Sequence, residues 1–152
     1  MRVLIVHHTV SPALEDLLEA ARSGLRRTEL AALDVVGEPA LSATPSDVLA
    51  ADGYLLGGPV NLGYLAGALK HFFDQVYYPC REATRGRPFA AYLHAGSDAT
   101  GALSALEVIT TGLGWRLVAP VAVVRGTPTA QDREACAEVA AVLGAHVAGW
   151  VG

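Results

Sequence analysis

The stretch between Gly57 and Asp74 has the residue types to hold a flat ligand, and it follows the apolar run Tyr54-Leu55-Leu56 directly. That run predicts a buried strand, which ends in Gly-Gly-Pro before the chain turns through Asn61 to Gly63 and enters an amphipathic helix. Ligands of open α/β sheets bind at the carboxyl ends of the strands, in loops of this kind. The pattern therefore predicts a backbone shaped to bind a flat ligand at the end of a strand.

The same segment resembles the flavin-ring loop of flavodoxin-like proteins. In the quinone- and flavin-reductase branch of that superfamily the pattern is roughly G-T-P-x-x-x-G-x-x-x-G-x-x-K/R-x-x-x-D. This chain has Gly58 where the family usually has Thr. It matches the pattern at Gly57, Pro59, Gly63, Gly67, Lys70 and Asp74. The resemblance implies a flavodoxin-like fold and an NAD(P)H-dependent FMN or quinone oxidoreductase.

The loop after the first predicted strand carries two hydroxyls, Thr9 and Ser11, just before a predicted helix. A helix N-terminus offers a dianion unpaired N–H donors and the positive end of the macrodipole. In the family this loop holds the FMN phosphate, and Pro12 stands where Gly is usual, which removes one N–H donor. The alternative is that Ser11 and Pro12 only cap the first helix. The resemblance assigns phosphate binding to Thr9, Ser11, Pro12, Ala13 and Leu14.

The loop from Pro59 to Gly63 is assigned by the resemblance to the edge of the flavin ring. Its backbone N–H and C=O groups would tune the ring, and Gly63 allows a close approach or a positive φ. The alternative is an ordinary strand-to-helix connection. Lys70 and Asp74, one helical turn apart, are expected to form a solvent-facing ion pair. The residues of this predicted ring site are Pro59, Val60, Asn61, Leu62 and Gly63.

A third loop, from His94 to Gly101, follows the fourth predicted strand and resembles the family's S/T-x-G-x-x-x-G-G segment. In the family this segment covers one face of the flavin ring. His94 stands where a hydroxyl residue is frequent, and Thr100 stands where Gly is frequent. The alternative is a Gly-rich loop in which Asp98 or Thr100 caps the fourth helix. The resemblance assigns flavin binding to His94, Ala95, Gly96 and Ser97.

Other residues with reactive side chains predict no second site. His7 and His8 should point to opposite faces of the strand end, so they cannot chelate one metal together. Cys80 and Cys136 are expected to be reduced thiols because they fit neither a C-x-x-C pair nor a metal spacing. The sequence has no Ser-His-Asp nucleophile elbow, HExxH, P-loop or GxGxxG motif. We therefore predict no catalytic side chain and no metal site, with the flavin performing the chemistry.

Short apolar runs alternate with helical patterns along the chain, which predicts a parallel sheet covered by helices on both faces. Side-chain caps mark three helix starts, at Ser11, at Thr44 with Asp47, and at Thr129 with Asp132. The last helix is expected to run to about Trp150, and Tyr77-Tyr78-Pro79 to form an aromatic turn after the third helix. The predicted fold is α/β, a flavodoxin-like three-layer sandwich with a five-stranded parallel sheet in the order 2-1-3-4-5. The predicted strands lie near Arg2 to Val6, Thr28 to Asp34, Gly53 to Leu56, Phe89 to Leu93 and Leu117 to Val123.

Composition limits the classes of partner. With 152 residues, of which 52% are hydrophobic, the chain is expected to form one domain over residues 1–152. Only 17% of the residues are charged and the net charge is −4, which argues against nucleic acid or an anionic membrane as a partner. Only four apolar residues follow Met1-Arg2, too few for a signal sequence or a membrane span. We expect a cytoplasmic protein.

These expectations combine into an FMN-binding protein that transfers two electrons from NADH or NADPH to a quinone, a flavin or a similar small acceptor. A homodimer built on the third and fourth helices is also expected. Two alternatives stay open. One is a flavodoxin-type electron carrier, although such carriers tend to be strongly acidic. The other is a flavin-free flavodoxin-like binding or regulatory protein.

Overall fold

The computed structural model describes residues 1–150, and for Thr28 only the backbone. The last two residues of the predicted 1–152 domain lie outside this range. Within residues 1–150, seven strands and five α-helices follow one another, with a short 3₁₀ helix at Thr28–Leu30. The strands are β1 (Arg2–His7), β2 (Asp34–Pro39), β3 (Gly53–Asn61), β4 (Tyr64–Leu65), β5 (Pro88–Ala95), β6 (Arg116–Leu117) and β7 (Ala122–Arg125). The α-helices are α1 (Pro12–Leu25), α2 (Pro45–Ala50), α3 (Gly67–Cys80), α4 (Thr100–Leu113) and α5 (Ala130–Val147).

The sheet has the order β2-β1-β3-β5-β6. Strand β7 also pairs with β5, along the part of β5 that follows the residues paired with β6. These pairings are parallel, whereas β4 pairs with β3 antiparallel. Because β6 and β7 together occupy the place of one strand, the predicted order 2-1-3-4-5 is confirmed. The chain therefore reverses direction across the sheet between β1 and β3, where open α/β sheets have a crevice at the strand ends.

The second and fifth predicted strands differ from the structure by more than the position of one end. The predicted second strand, Thr28 to Asp34, is wrong: the strand begins at Asp34, opposite Arg2, and residues 28–30 are 3₁₀-helical. Leu30 and Leu33 face α5 instead, where their side-chain tips lie beside Gly144. The predicted fifth strand is interrupted between Leu117 and Ala122, at Pro120, which has no N–H for the ladder.

The predicted helix caps are confirmed. The Ser11 side chain accepts from the Leu14 amide, and capping boxes join Thr44 to Asp47 and Thr129 to Asp132. The predicted aromatic turn at Tyr77-Tyr78-Pro79 is wrong, because α3 continues to Cys80 with Pro79 in its last turn. The last helix ends at Val147, three residues before the predicted Trp150.

The core lies in two layers, one on each face of the sheet. On one face α2, α3 and α4 cover a cluster in which the Trp115 ring stacks on Tyr54 with centroids 4.0 Å apart. On the other face α1 and α5 cover Val3, Ile5 and Tyr92. Cys80 and Cys136 are buried free thiols, as expected. Among residues 1–150, every helix falls short of the length and hydropathy needed to cross a membrane.

Candidate functional site

The three predicted loops meet at the carboxyl edge of the sheet. His7 at the end of β1 lies opposite Gly57 of β3, and Pro59 of β3 lies opposite His94 of β5. The His8 amide donates to the Gly57 carbonyl at 2.9 Å, which ties the first loop to β3. This register brings loops that are more than thirty residues apart in sequence to one edge of the sheet, where open α/β sheets have a crevice.

The first loop presents free backbone donors at the start of α1. Ser11 caps the helix, since its Oγ accepts from the Leu14 amide at 3.2 Å. Within residues 1–150 the amides of Val10, Ser11 and Ala13 make no hydrogen bond. The amide of Leu14, which is also predicted to bind the phosphate, is engaged by Ser11, and its side chain is buried in the core. The loop can therefore offer an anion several N–H groups at the positive end of a helix.

Thr9 is held by the histidine at the end of β1. Thr9 Oγ1 lies 2.8 Å from His7 Nδ1. Burial lowers the pKa of His7 below its usual value, and the nearby charges of Arg22 and His8 lower it further. A neutral imidazole with its proton on Nδ1 donates to the Thr9 oxygen and leaves the hydroxyl hydrogen free to point at a ligand. Thr9 can thus act as an additional donor beside the free amides.

The lowered pKa of His7 predicts a pH-dependent stability. The His7 imidazole takes up a proton near pH 6.5 in the unfolded chain, whereas in the folded protein it stays neutral to a lower pH. The contribution of His7 to the free energy of unfolding is therefore fully present above pH 6.5 and is lost as the pH falls toward the pKa of the folded state. We expect the free energy of urea unfolding to drop between about pH 7.5 and about pH 5.5. His146, whose pKa is lowered by burial and then by Arg116, adds to the drop. The His7→Asn variant should show a smaller drop, whereas an undiminished drop would contradict this origin.

The second loop is a tight hairpin rather than a plain connection. Instead of ending at Leu56, β3 continues to Asn61, which pairs with Tyr64 of β4. Leu62 and Gly63 between them have φ of 52° and 74°, the signs of a type I′ turn. Leu62 is thus a branched residue in the left-handed region, where a side chain costs roughly 1–2 kcal/mol. Strain of this kind is concentrated at functional sites.

Apolar side chains around the crevice are unusually exposed. Leu62 is fully exposed, at 106%, and Val10 and Tyr64 are 62% and 45% exposed. They come from two different loops at the same edge of the sheet, beside the free amides of the first loop. Exposed apolar groups clustered around polar donors are typical of ligand sites. The donor set therefore fits a ligand with a flat apolar part and an anionic part, which is the chemistry of FMN.

The third loop packs directly against the second. A Cβ added to Gly101, in the first turn of α4, would overlap the Gly63 carbonyl oxygen. Asp98 Oδ1 accepts from the Thr100 amide at 3.0 Å and from its hydroxyl at 2.6 Å, and these bonds lower the pKa of Asp98. These bonds close a turn just before α4, whose N-cap is Ala99 and has no side-chain cap, so they differ from the capping alternative. Gly96 and Ser97 remain exposed beside this turn.

A fourth segment, at the end of β7, is hydrogen-bonded to the third loop and was missed by sequence reasoning. Arg125 Nε donates to the Ser97 carbonyl at 2.7 Å, and His94 Nε2 lies 2.7 Å from the Gly126 carbonyl. The His94 imidazole is therefore engaged with the fourth segment. The position of Arg125 at the carboxyl end of a strand was the signal that could have identified it.

Beneath the crevice, the ring of Tyr92 lies across Gly57. A Cβ at Gly57 would overlap that ring. The Tyr92 hydroxyl is buried and has no hydrogen-bond partner among residues 1–150, and burial raises its pKa. Tyr54, by contrast, donates to the Val48 carbonyl at 2.7 Å.

These two tyrosines make a matched pair of tests. The Tyr92→Phe variant is expected to keep or raise the free energy of unfolding, by up to about 1 kcal/mol, because it removes a buried hydroxyl without a partner. The Tyr54→Phe variant should lose about 1 kcal/mol because its bond to Val48 is lost. Urea unfolding of both variants measures the difference. Equal losses would mean that the Tyr92 hydroxyl is bonded in solution.

One other prediction can be compared with the structure. Lys70 Nζ and Asp74 Oδ1 are 2.7 Å apart on α3, which confirms the predicted ion pair. No group of three or more His, Cys, Asp or Glu side chains in the described part of the chain is arranged to hold a metal ion. The assignment of individual residues to flavin binding stays a prediction.

Comparisons with known proteins agree with this geometry. The family described as NADPH-dependent FMN reductase matches residues 16–130. A flavodoxin of Aquifex aeolicus is 28% identical over 166 aligned positions, which cover 99% of this chain and 86% of that protein.

Solved structures share the fold. A flavodoxin from the domain Archaea superposes with a TM-score of 0.83 at 16% identity, over 97% of this chain and 99% of that one. A flavodoxin, WrbA-like protein from Agrobacterium tumefaciens gives 0.79 at 16% identity, over 97% and 98% of the two chains. At these identities the likeness shows the flavodoxin-like fold alone.

Proposed function

Because the chain belongs to the NADPH-dependent FMN reductase family, we propose that it binds FMN in the crevice and passes two electrons from NADH or NADPH to a small acceptor such as a quinone or a flavin. One observation carries the proposal. Free amides at the start of α1 lie at the same edge of the sheet as the exposed side chains of Val10, Leu62 and Tyr64. A ligand that is anionic at one end and flat and apolar at the other satisfies both features.

Each loop has a defined task in this proposal. Thr9, Ser11 and the amide of Ala13 hold the phosphate, and Pro12 leaves the helix with one donor fewer. The hairpin around Leu62 and Gly63 orients the ring. When bound, FMN supplies the two-electron redox chemistry. The protein's own contribution is to bind the cofactor, orient it and leave one face open to the substrates.

The third loop forms the other wall of the crevice. We assign the backbone groups of Ala95, Gly96 and Ser97 to one face of the ring, while the His94 side chain bonds to Gly126. Gly96 has no side chain, and the space beside it is open, because no heavy atom lies within 4 Å of a Cβ added there. An open wall leaves room for a nicotinamide or an acceptor beside the ring.

A flavodoxin-type electron carrier is the second candidate, favoured by the 28% identical relative that is itself called a flavodoxin. The net charge of −4 is modest for such a carrier. The two candidates differ in whether the protein itself oxidises a pyridine nucleotide. A flavin-free binding protein is the third.

The deciding experiment begins with the visible absorption of the purified protein and identification of the released cofactor. The flavin-depleted protein is then titrated with FMN and with FAD, and the FMN-loaded protein is mixed with NADH or NADPH and a quinone. Tight FMN binding with nucleotide oxidation is expected. FMN binding without oxidation of either nucleotide would favour the carrier, and no binding of FMN would favour the flavin-free protein.

We also propose a homodimer formed through α3 and α4. Tyr78 on α3 and Val108 on α4 are 78% and 73% exposed, and large apolar side chains of this kind are covered in many interfaces. Light scattering at tens of micromolar protein should give the mass of two chains, and Val108→Glu should give one. A wild-type mass of one chain would contradict the proposal.

The same proposal treats the chain as one domain that acts in the cytoplasm. The buried free thiols of Cys80 and Cys136 support this compartment, because the cytoplasm keeps thiols reduced. Fractionation of cells that express the protein, followed by detection with an antibody, tests this placement. Recovery outside the cytoplasm would contradict it.

A further inference from the structure

Two reciprocal hydrogen bonds join the ends of β5 and β7 to the loops that follow them. Arg125 Nε, at the end of β7, donates to the Ser97 carbonyl in the loop after β5 at 2.7 Å. In the opposite direction, His94 Nε2, near the end of β5, lies 2.7 Å from the Gly126 carbonyl in the loop after β7. A carbonyl only accepts, so His94 carries its proton on Nε2. Each strand end, with the loop after it, thus contributes one side chain and one carbonyl. We call these two hydrogen bonds the His94–Arg125 clasp.

The clasp adds to a small number of other contacts that hold the third loop, which are the end of the β5–β7 ladder at Ala95 and Arg125 and the bonds from Thr100 to Asp98. Within residues 1–150, no backbone-to-backbone hydrogen bond reaches Gly96, Ser97 or Asp98, and all three residues are exposed. On the opposite side of the loop, Gly101 rests on the carbonyl of Gly63. The loop is therefore located by the hairpin at one end and by the clasp at the other.

We propose that His94 and Arg125 are positioning residues that set the place of the 94–101 loop at the ring of a bound flavin. The inference rests on the proposed function. It departs from the prediction that the His94 side chain belongs to the ring-binding set, since Nε2 is committed to Gly126. It also gives a role to Arg125, whose charge is held at a fixed place by its Nε bond.

Removing either side chain should loosen the loop and weaken FMN binding. We expect His94→Ala and Arg125→Ala each to raise the Kd for FMN about three- to tenfold, the range for a net hydrogen bond. Because both bonds hold one loop, the double variant should lose less affinity than the product of the two single effects. The absorption and fluorescence of bound FMN should also change, because they report the surroundings of the ring.

Three variants test whether the hydrogen bonds of the clasp, rather than the charge of Arg125, place the loop. Arg125→Lys keeps the charge but loses the Nε donor, so it should behave like Arg125→Ala, whereas rescue by Lys would mean that Arg125 acts only as a charge. His94→Gln retains a side-chain N–H donor and should recover part of the affinity. Arg26→Ala removes an exposed arginine that pairs with Glu19 just after α1, and it should leave FMN binding unchanged.

Order in the loop provides a measurement that does not require flavin. In the flavin-depleted protein, NMR order parameters of residues 95–99 should fall in Arg125→Ala and stay unchanged in Arg26→Ala. If the wild type binds no FMN, the proposed function fails, and these order parameters alone decide the clasp. Unchanged loop order, or unchanged FMN affinity and spectrum in folded His94→Ala and Arg125→Ala, would overturn the inference.

Discussion

Replacing Gly101 with alanine is expected to weaken FMN binding about tenfold or more, which is ~1.4 kcal/mol. The added methyl would overlap the carbonyl oxygen of Gly63, and a backbone atom cannot move aside as a side-chain tip can. Gly63 and the strained Leu62 form the hairpin that we assign to the flavin ring. A shift of this hairpin changes the groups that face the ring. The measurement is a titration of the flavin-depleted variant with FMN.

Gly67→Ala is the matched control for this experiment. Gly67 also lies in the first turn of a helix beside the crevice, but no heavy atom lies within 4 Å of a Cβ added there. Both substitutions raise helix propensity by about 1 kcal/mol, so propensity cannot separate them. Gly67→Ala should bind FMN like the wild type. If Gly101→Ala did the same, the contact between the hairpin and α4 would have no role in binding.

The second large effect is expected at Gly24, where α1 packs on α5. We expect Gly24→Ala to lower the free energy of unfolding by about 1–3 kcal/mol, the usual cost of overpacking. The new methyl would overlap the carbonyl oxygen of Ala137, and the Ala137 Cα would be only 2.9 Å away. The two helices must move apart to accept it, because both obstructing atoms belong to the backbone. This cost should exceed the gain in helix propensity, about 1 kcal/mol.

Gly144→Ala provides the comparison for Gly24→Ala, with urea unfolding as the measurement. A Cβ at Gly144, on α5, would meet only the ends of leucine side chains, the nearest being Leu30 Cδ1 at 2.7 Å. Those ends can rotate away, so this variant should lose less stability. If Gly24→Ala were as stable as Gly144→Ala, α1 and α5 would have room to separate at little cost.

Local signals along the sequence predicted the frame of this protein well. The alternation of apolar runs and helical patterns indicated the parallel sheet, and its order was confirmed. Side-chain caps at Ser11, Thr44 and Thr129 mark helix starts correctly, because a cap needs only residues within one turn of each other. The three predicted loops also meet at one edge. Parallel strands bring their carboxyl ends together, so the strand order was enough to place them.

The tertiary structure decided what depends on contacts between distant residues. Residues 28–33 looked like a strand, but their leucines pack on α5, and the strand forms where Arg2 of β1 pairs with Asp34. The contact of Gly101 with Gly63 and the bond from Arg125 to Ser97 join segments that carry no local signal for one another. The sequence by itself therefore determined most of the elements and the order of the strands, since these follow from local periodicity and capping. Only the tertiary structure decided how the loops hold each other, because that depends on where the packed sheet brings their backbones together.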